Sequence, residues 1–250
     1  MRELVAEFVG TAILLLVGNA VVANVVLKRT KGENSGWLVI AIGWGMAVFV
    51  AVLCVSEISG AHINPAVTIG LAAAGKFDWN AVPGFCAAQM LGAMLGTTLV
   101  WYVYADHYRV TEDAGAKLGT FCTGPAIANP LRNFFTECAA TFVLVFAVLR
   151  AASAEFTLSM GGHSGTAEVG LGAIGALPVA LVVLAIGTSL GGPTGYAINP
   201  ARDLGPRIMH AVLPIPGKGG SDWGYAWVPV AGPIAGAVLA AWLDRAMSAL

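Results

Sequence analysis

Hydrophobic positions gather into six runs, Leu4–Leu27, Trp37–Val55, Ala81–Tyr104, Phe134–Ala152, Ile174–Leu190 and Tyr225–Met247. Each is close to the ~20 apolar residues that carry a helix across the hydrocarbon core of a bilayer. Lys28–Gly36 between them reads as a charged turn, Ala105–Arg132 as a long polar loop and Ser153–Gly170 as a Gly/Ser-rich loop. Two further stretches fit neither class. Pro65–Ala74 and Pro200–Val212 are too apolar for surface loops and too short to span. Each opens on a proline, whose missing N–H costs nothing in a first helical turn, behind an asparagine suited to cap it. Each is expected to be a half-length helix that starts inside the protein.

Composition supplies the solvent. The chain of 250 residues is 57% hydrophobic and only 11% charged, with mean hydropathy +0.77, where soluble domains carry about 25% charged residues. A net charge of −1 without a basic stripe excludes a nucleic-acid partner. The first run is read as a retained helix, not a cleaved signal peptide, because Glu3 and Glu7 interrupt it and it is long enough to span. Cys54, Cys86, Cys122 and Cys138 have no metal-ligand spacing and are expected to be small packing residues. No metal and no cofactor are expected.

The chain is also duplicated. Ser59-Gly60-Ala61-His62-Ile63-Asn64-Pro65-Ala66-Val67 aligns with Thr194-Gly195-Tyr196-Ala197-Ile198-Asn199-Pro200-Ala201-Arg202. Glu7 and Thr11 in the first run correspond to Glu137 and Thr141 in the fourth. Gly92 and Gly96 in the third correspond to Gly232 and Gly236 in the sixth, a small-xxx-small spacing that suits close helix crossings. Repeat one covers about residues 1–104, repeat two about 133–250, and residues 105–132 connect them, all within one domain of 1–250. Three spans per half is an odd number, so the halves must have opposite orientation. Paired interrupted segments in an inverted repeat point to a membrane transport site.

Half-helices entering from opposite faces bring their N-termini together near the midplane. Irregular backbone is tolerated at that depth only where it is buried in protein or lines a water-filled path. Gly60, Ala61, His62, Gly195 and Ala197 are therefore expected to present carbonyls or side chains to the lumen. Asn64 and Asn199 are expected to cap their helices and keep amide N–H groups facing it. Both helix dipoles place about half a positive charge there, which repels cations and hydronium while leaving neutral hydroxyl compounds free to pass.

These motifs, with Ala6-Glu7-Phe8 and Asp203-Leu204-Gly205-Pro206-Arg207, resemble the aquaporin family (major intrinsic proteins), and within it the glycerol-conducting facilitators. The resemblance covers nearly the whole chain. It implies an all-α membrane fold of six transmembrane helices and two re-entrant half-helices, assembled as a homotetramer with one pore per subunit. Asn64, Pro65 and Ala66, with Asn199, Pro200 and Ala201, would be the paired family motifs. Trp44, twenty residues before Asn64, and Gly187, twelve before Asn199, fall at the family's filter offsets. With Tyr196 and Arg202 they would form the selectivity filter: Gly187 leaving room for a three-carbon solute, Trp44 and Tyr196 an apolar corner, and Arg202 opposite donating to hydroxyls. Asp203, Arg207 and Pro233-Ile234 mark the glycerol-conducting branch. At Tyr196, where phenylalanine is common, the added hydroxyl is expected to bring polarity to the filter.

Glu7 and Glu137 read best as buried carboxylates that accept from the backbone of the re-entrant loops. His62 is expected to line the lumen. Trp101, Tyr102 and Tyr104 suit an interfacial belt, and His107, His163 and His210 carry no readable role. The family arrangement puts both termini in the cytoplasm of a bacterial plasma membrane, against a positive-inside count that favours the reverse. The expected function is passive diffusion of glycerol and other small neutral solutes, with water, excluding protons and ions. A water-selective channel would want His where Gly187 stands. A proton-coupled transporter using Glu7 and Glu137 would need pH-driven, saturable uptake. An enzyme finds no nucleophile–base pair.

Overall fold

The computed structural model describes residues 1–151, 154–160, 163–169 and 172–250. Among these residues ten α-helices and one antiparallel strand pair follow in order. The first half holds α1 (Arg2–Val26), α2 (Trp37–Ser59), the half-helix α3 (Pro65–Ala73) and α4 (Val82–Val103). After α5 (Ala105–Val110) and α6 (Ala114–Gly119), the second half holds α7 (Pro130–Arg150), β1 (Ala154–Met160), β2 (His163–Val169), α8 (Leu177–Ser189), the half-helix α9 (Pro200–Val212) and α10 (Val228–Ser248). Among the described residues five helices are long and apolar enough to cross a membrane, and the chain is a multi-pass integral membrane protein.

The outcome refines several expected boundaries. The fourth run begins at Pro130, not Phe134, because Asn129 caps it through the Arg132 N–H at 3.2 Å. The fifth opens with a 3₁₀ turn, Gly172–Ala176, and turns α-helical only at Leu177, with Pro178 in its first turn. The loop Ala105–Arg132 contains two short helices. The loop Ser153–Gly170 contains an antiparallel hairpin that pairs Ala154 with Val169 and Met160 with His163. Its backbone departs from the loop expected there, since few β-branched or aromatic residues announced strands.

The halves pack alike. α1 lies on α4 and α7 on α10. A Cβ at Gly96 would strike the Ala12 carbonyl of α1, and one at Gly236 the Cys138 carbonyl of α7. Only glycine permits backbones that close, which is how membrane helices associate without a hydrophobic drive between them. Outward positions stay apolar. Leu91, Leu95 and Leu99 form an exposed stripe along α4, as hydrocarbon requires. The four cysteines are free thiols, with Cys122 and Cys138 buried. At the exposed α1–α2 turn, the ammonium of Lys28 and the Arg29 N–H hold the Glu33 carboxyl below its ordinary range.

Candidate functional site

The two half-helices meet head to head through their caps. Asn64 Oδ1 accepts from the Ala66 N–H at 2.9 Å, and Asn199 Oδ1 from the Ala201 and Arg202 N–H groups at 3.0 and 3.2 Å. Each asparagine also reaches across. Asn64 Nδ2 donates to the Ile198 carbonyl at 2.8 Å, and Asn199 Nδ2 to the Ile63 carbonyl at 2.9 Å. An amide nitrogen carries two N–H groups, so one per asparagine joins the halves and one is left for the lumen. Pro65 and Pro200 occupy the first helical turns.

The loops before these caps are strained in the same pattern. Gly60, Ala61 and Ile63 have φ of +80°, +51° and +43°, and Gly195, Tyr196 and Ile198 have +79°, +38° and +45°. Left-handed backbone is costly for alanine and tyrosine and rarer still for β-branched isoleucine, on the order of 1–3 kcal/mol each. Buried carboxylates hold it. Glu7 accepts from the His62 and Ile63 N–H groups at 3.0 and 2.7 Å, from Ser59 Oγ at 2.6 Å and from Gln89 Nε2 at 2.7 Å. Glu137 accepts from the Ala197 and Ile198 N–H groups at 3.0 and 2.8 Å. Both oxygens of each carboxylate are thus engaged by donors, which ties the two turns to α1 and α7.

The strained turns border a cavity of about 490 Å³ whose lining includes Trp44, Tyr196 and Arg202, Asn64 and Asn199, and Ala151 and Pro178. Among the described residues no donor takes the carbonyls of Gly60, Ala61, His62, Tyr196 or Ala197. Gly60, Ala61, His62 and Ala197 line the cavity, and Gly195 is not among its lining residues. It sits behind the turn against Thr123, and the lining position falls to Tyr196. His62 packs edge-on to Phe77, with centroids 4.6 Å apart, and its Nδ1 lies 3.1 Å from Thr68 Oγ1.

Arg202 and its neighbours differ from the expected layout in three ways. First, Arg202 is not opposed to Trp44. Its guanidinium carbon lies 4.2 Å from the Trp44 ring centre, a cation–π stack, while Nη1 reaches the Phe121 carbonyl at 3.4 Å. Second, Gly187 does not itself open the lumen and is absent from the cavity wall. A Cβ there would lie 2.8 Å from Tyr196 Cζ and 2.9 Å from its hydroxyl, so the missing side chain is the seat of the Tyr196 ring. Third, the Tyr196 hydroxyl adds no polarity to the path. It is buried and, among the described residues, unpartnered. Trp44 is seated in the same manner, its ring occupying the place of a Cβ on Gly18.

Asp203 does not neutralise Arg202. It is fully buried and bound by Arg207, Nε to Oδ1 at 2.8 Å, and by the Thr123 N–H and hydroxyl at 2.7 and 2.6 Å. Arg207 donates onward to the Ser221, Asp222 and Thr123 carbonyls at 2.8–2.9 Å. This staple ties α9 to two loops and leaves the Arg202 charge to the cavity. Sequence reasoning missed Phe121, Thr123 and Gly18. The signal for Phe121 was an apolar patch, Leu118-Gly119-Thr120-Phe121-Cys122, inside an otherwise polar loop.

Half-helices capped head to head on a cavity of about 490 Å³, beside an arginine with no carboxylate partner among the described residues, belong to the inverted-repeat class of membrane transport folds. Residues 1–244 match the family model described as major intrinsic protein. The chain is 51% identical over 247 residues to a probable glycerol uptake facilitator protein of Thermotoga maritima, covering 96% of this chain and 97% of that one. It is 52% identical over 240 residues to a glycerol uptake facilitator protein of Streptococcus pneumoniae, with the same coverage. The aquaglyceroporin of Plasmodium falciparum superposes with a TM-score of 0.80 at 30% identity, over 98% of this chain and 96% of that structure. The chain belongs to the major intrinsic protein family.

Proposed function

We propose that this protein is a passive channel for glycerol and other small uncharged solutes, with water, that excludes ions and protons. One observation carries the reading. Among the described residues Arg202 reaches the cavity without a carboxylate partner, since Asp203 is bound by Arg207, and it stands beside two aromatic rings, Trp44 and Tyr196. A polyol matches that wall, with its carbon edge on the rings and its hydroxyls on the guanidinium and the open carbonyls. Trp44, Tyr196 and Arg202 form the filter, and Gly187 serves it by seating Tyr196. Asn64 and Asn199, at the positive ends of α3 and α9, repel cations.

The chain acts as one channel domain of two repeats, assembled as a homotetramer in a bacterial plasma membrane with both termini cytoplasmic. The relatives support this reading, since the names of two at about half identity describe glycerol uptake. Proteoliposomes carrying the protein are expected to reswell quickly after a hyperosmotic glycerol shock. Reswelling no faster than in empty vesicles contradicts the reading. A reporter fused to the C-terminus tests the orientation, and activity only on the outer face overturns it.

A further inference from the structure

The Tyr196 ring is held from a side that the filter residues do not account for. We propose that Trp37 is a positioning residue that sets how far the Tyr196 ring stands into the lumen, and so the largest solute that passes. The inference rests on the filter reading above. Trp37 opens α2, and its indole N–H donates to the Gly187 carbonyl of α8 at 2.9 Å. Its ring meets Tyr196 edge-on, with centroids 5.7 Å apart and planes at 76°, a geometry favoured beyond its buried area. Gly191 closes the slot. A methyl there would lie 2.6 Å from both the Gly187 carbonyl oxygen and Tyr196 Cδ1, and 2.9 Å from Trp37 Cζ2. The ring is thus wedged between the indole edge and two glycines about one turn apart, and the space left to it is the lumen.

The bland reading of Trp37 is a membrane-interface anchor, since 41% of it is exposed. An anchor directs its N–H to headgroups and water, whereas this N–H is engaged by a main-chain oxygen of the helix that seats the filter ring. The bond fixes the indole against α8, and the indole fixes the ring. Tyr196 depends on such a brace, because its backbone is held in the left-handed region.

The test compares the full chain with Trp37→Leu, Trp37→Phe, Gly191→Ala and Trp44→Leu in proteoliposomes. Water, glycerol and ribitol permeabilities are read for each, normalised to folded protein. Trp37→Leu vacates the volume behind the ring, so the ring retreats and the ribitol-to-glycerol ratio rises roughly tenfold, the discrimination that a methylene of fit commands. Trp37→Phe keeps an aromatic edge without the N–H and shifts the ratio less, in the same direction. Gly191→Ala pushes the ring inward and lowers the glycerol-to-water ratio by about tenfold. If both Trp37 variants keep native ratios, or the ribitol ratio falls, the proposal is overturned and the anchor reading stands. Should Trp37→Leu not fold, Trp37→Phe decides alone. Trp44→Leu separates the two readings. A ratio that moves there while Trp37 is silent sinks only this inference, and unchanged ratios at both sink the filter assignment as well.

Discussion

Tyr196 carries the largest difference between what its side chain suggests and what its setting allows. A phenol at a channel constriction reads as a polar contact for solute. Here the hydroxyl is buried against Gly187, and the ring alone meets the path. An unsatisfied buried hydroxyl costs on the order of 1–3 kcal/mol. Tyr196→Phe is therefore expected to raise the melting temperature in detergent and leave the glycerol-to-water ratio unchanged. A marked shift in that ratio would place the hydroxyl in contact with solute. Gly187→His acts through the same ring. Its Cβ would lie 2.8 Å from Tyr196 Cζ, so the ring must move inward and glycerol must lose more than water. Stopped-flow rates that fall equally for both would argue against a ring-gated width. At Arg207, a methionine would leave the Asp203 carboxylate uncompensated in a fully buried site, a loss of about 3–5 kcal/mol. The expected result is a channel that unfolds early and never one that is merely less selective.

The half-helices were the most legible elements, and the turns before them the least. Asn-Pro-Ala twice, in matching places, fixes where α3 and α9 begin, because the cap and the first-turn proline are local chemistry. Glu7 and Glu137 were legible as loop supports for a similar reason, since a carboxylate in a span needs donors and the strained loops have spare N–H groups. The left-handed φ values at Ile63 and Ile198 were not legible, because isoleucine avoids that region and only the surroundings impose it. Nor was the staple through Thr123, which joins residues 80 positions apart. The fifth span shortened because Pro178 fits a first turn better than a helix interior. The role of the carboxylates yields a test. Glu137→Gln keeps one acceptor oxygen for one backbone N–H and turns an NH₂ donor against the other, so it breaks the support of the second turn. Water and glycerol permeabilities are expected to fall together, with a melting temperature well below native. Retained passive flux with loss of only a pH-driven component would point instead to proton coupling.

At the scale of the whole molecule, the duplication makes the centre nearly symmetric and the differences make it selective. The crossed bonds from Asn64 to Ile198 and from Asn199 to Ile63 join the halves through equivalent atoms. Where the copies diverge, at Tyr196 for Ala61 and Arg202 for Val67, the second half gains the ring and the charge that define one side of the cavity. The central claim is that neutral solute crosses while protons do not. It is tested most directly by recording volume and internal pH together in proteoliposomes given a glycerol gradient and a pH gradient at once. The expected result is fast glycerol reswelling, linear in the glycerol gradient, over a pH gradient that decays no faster than in empty vesicles. Glycerol entry that saturates, or that dissipates the pH gradient as it proceeds, would contradict it.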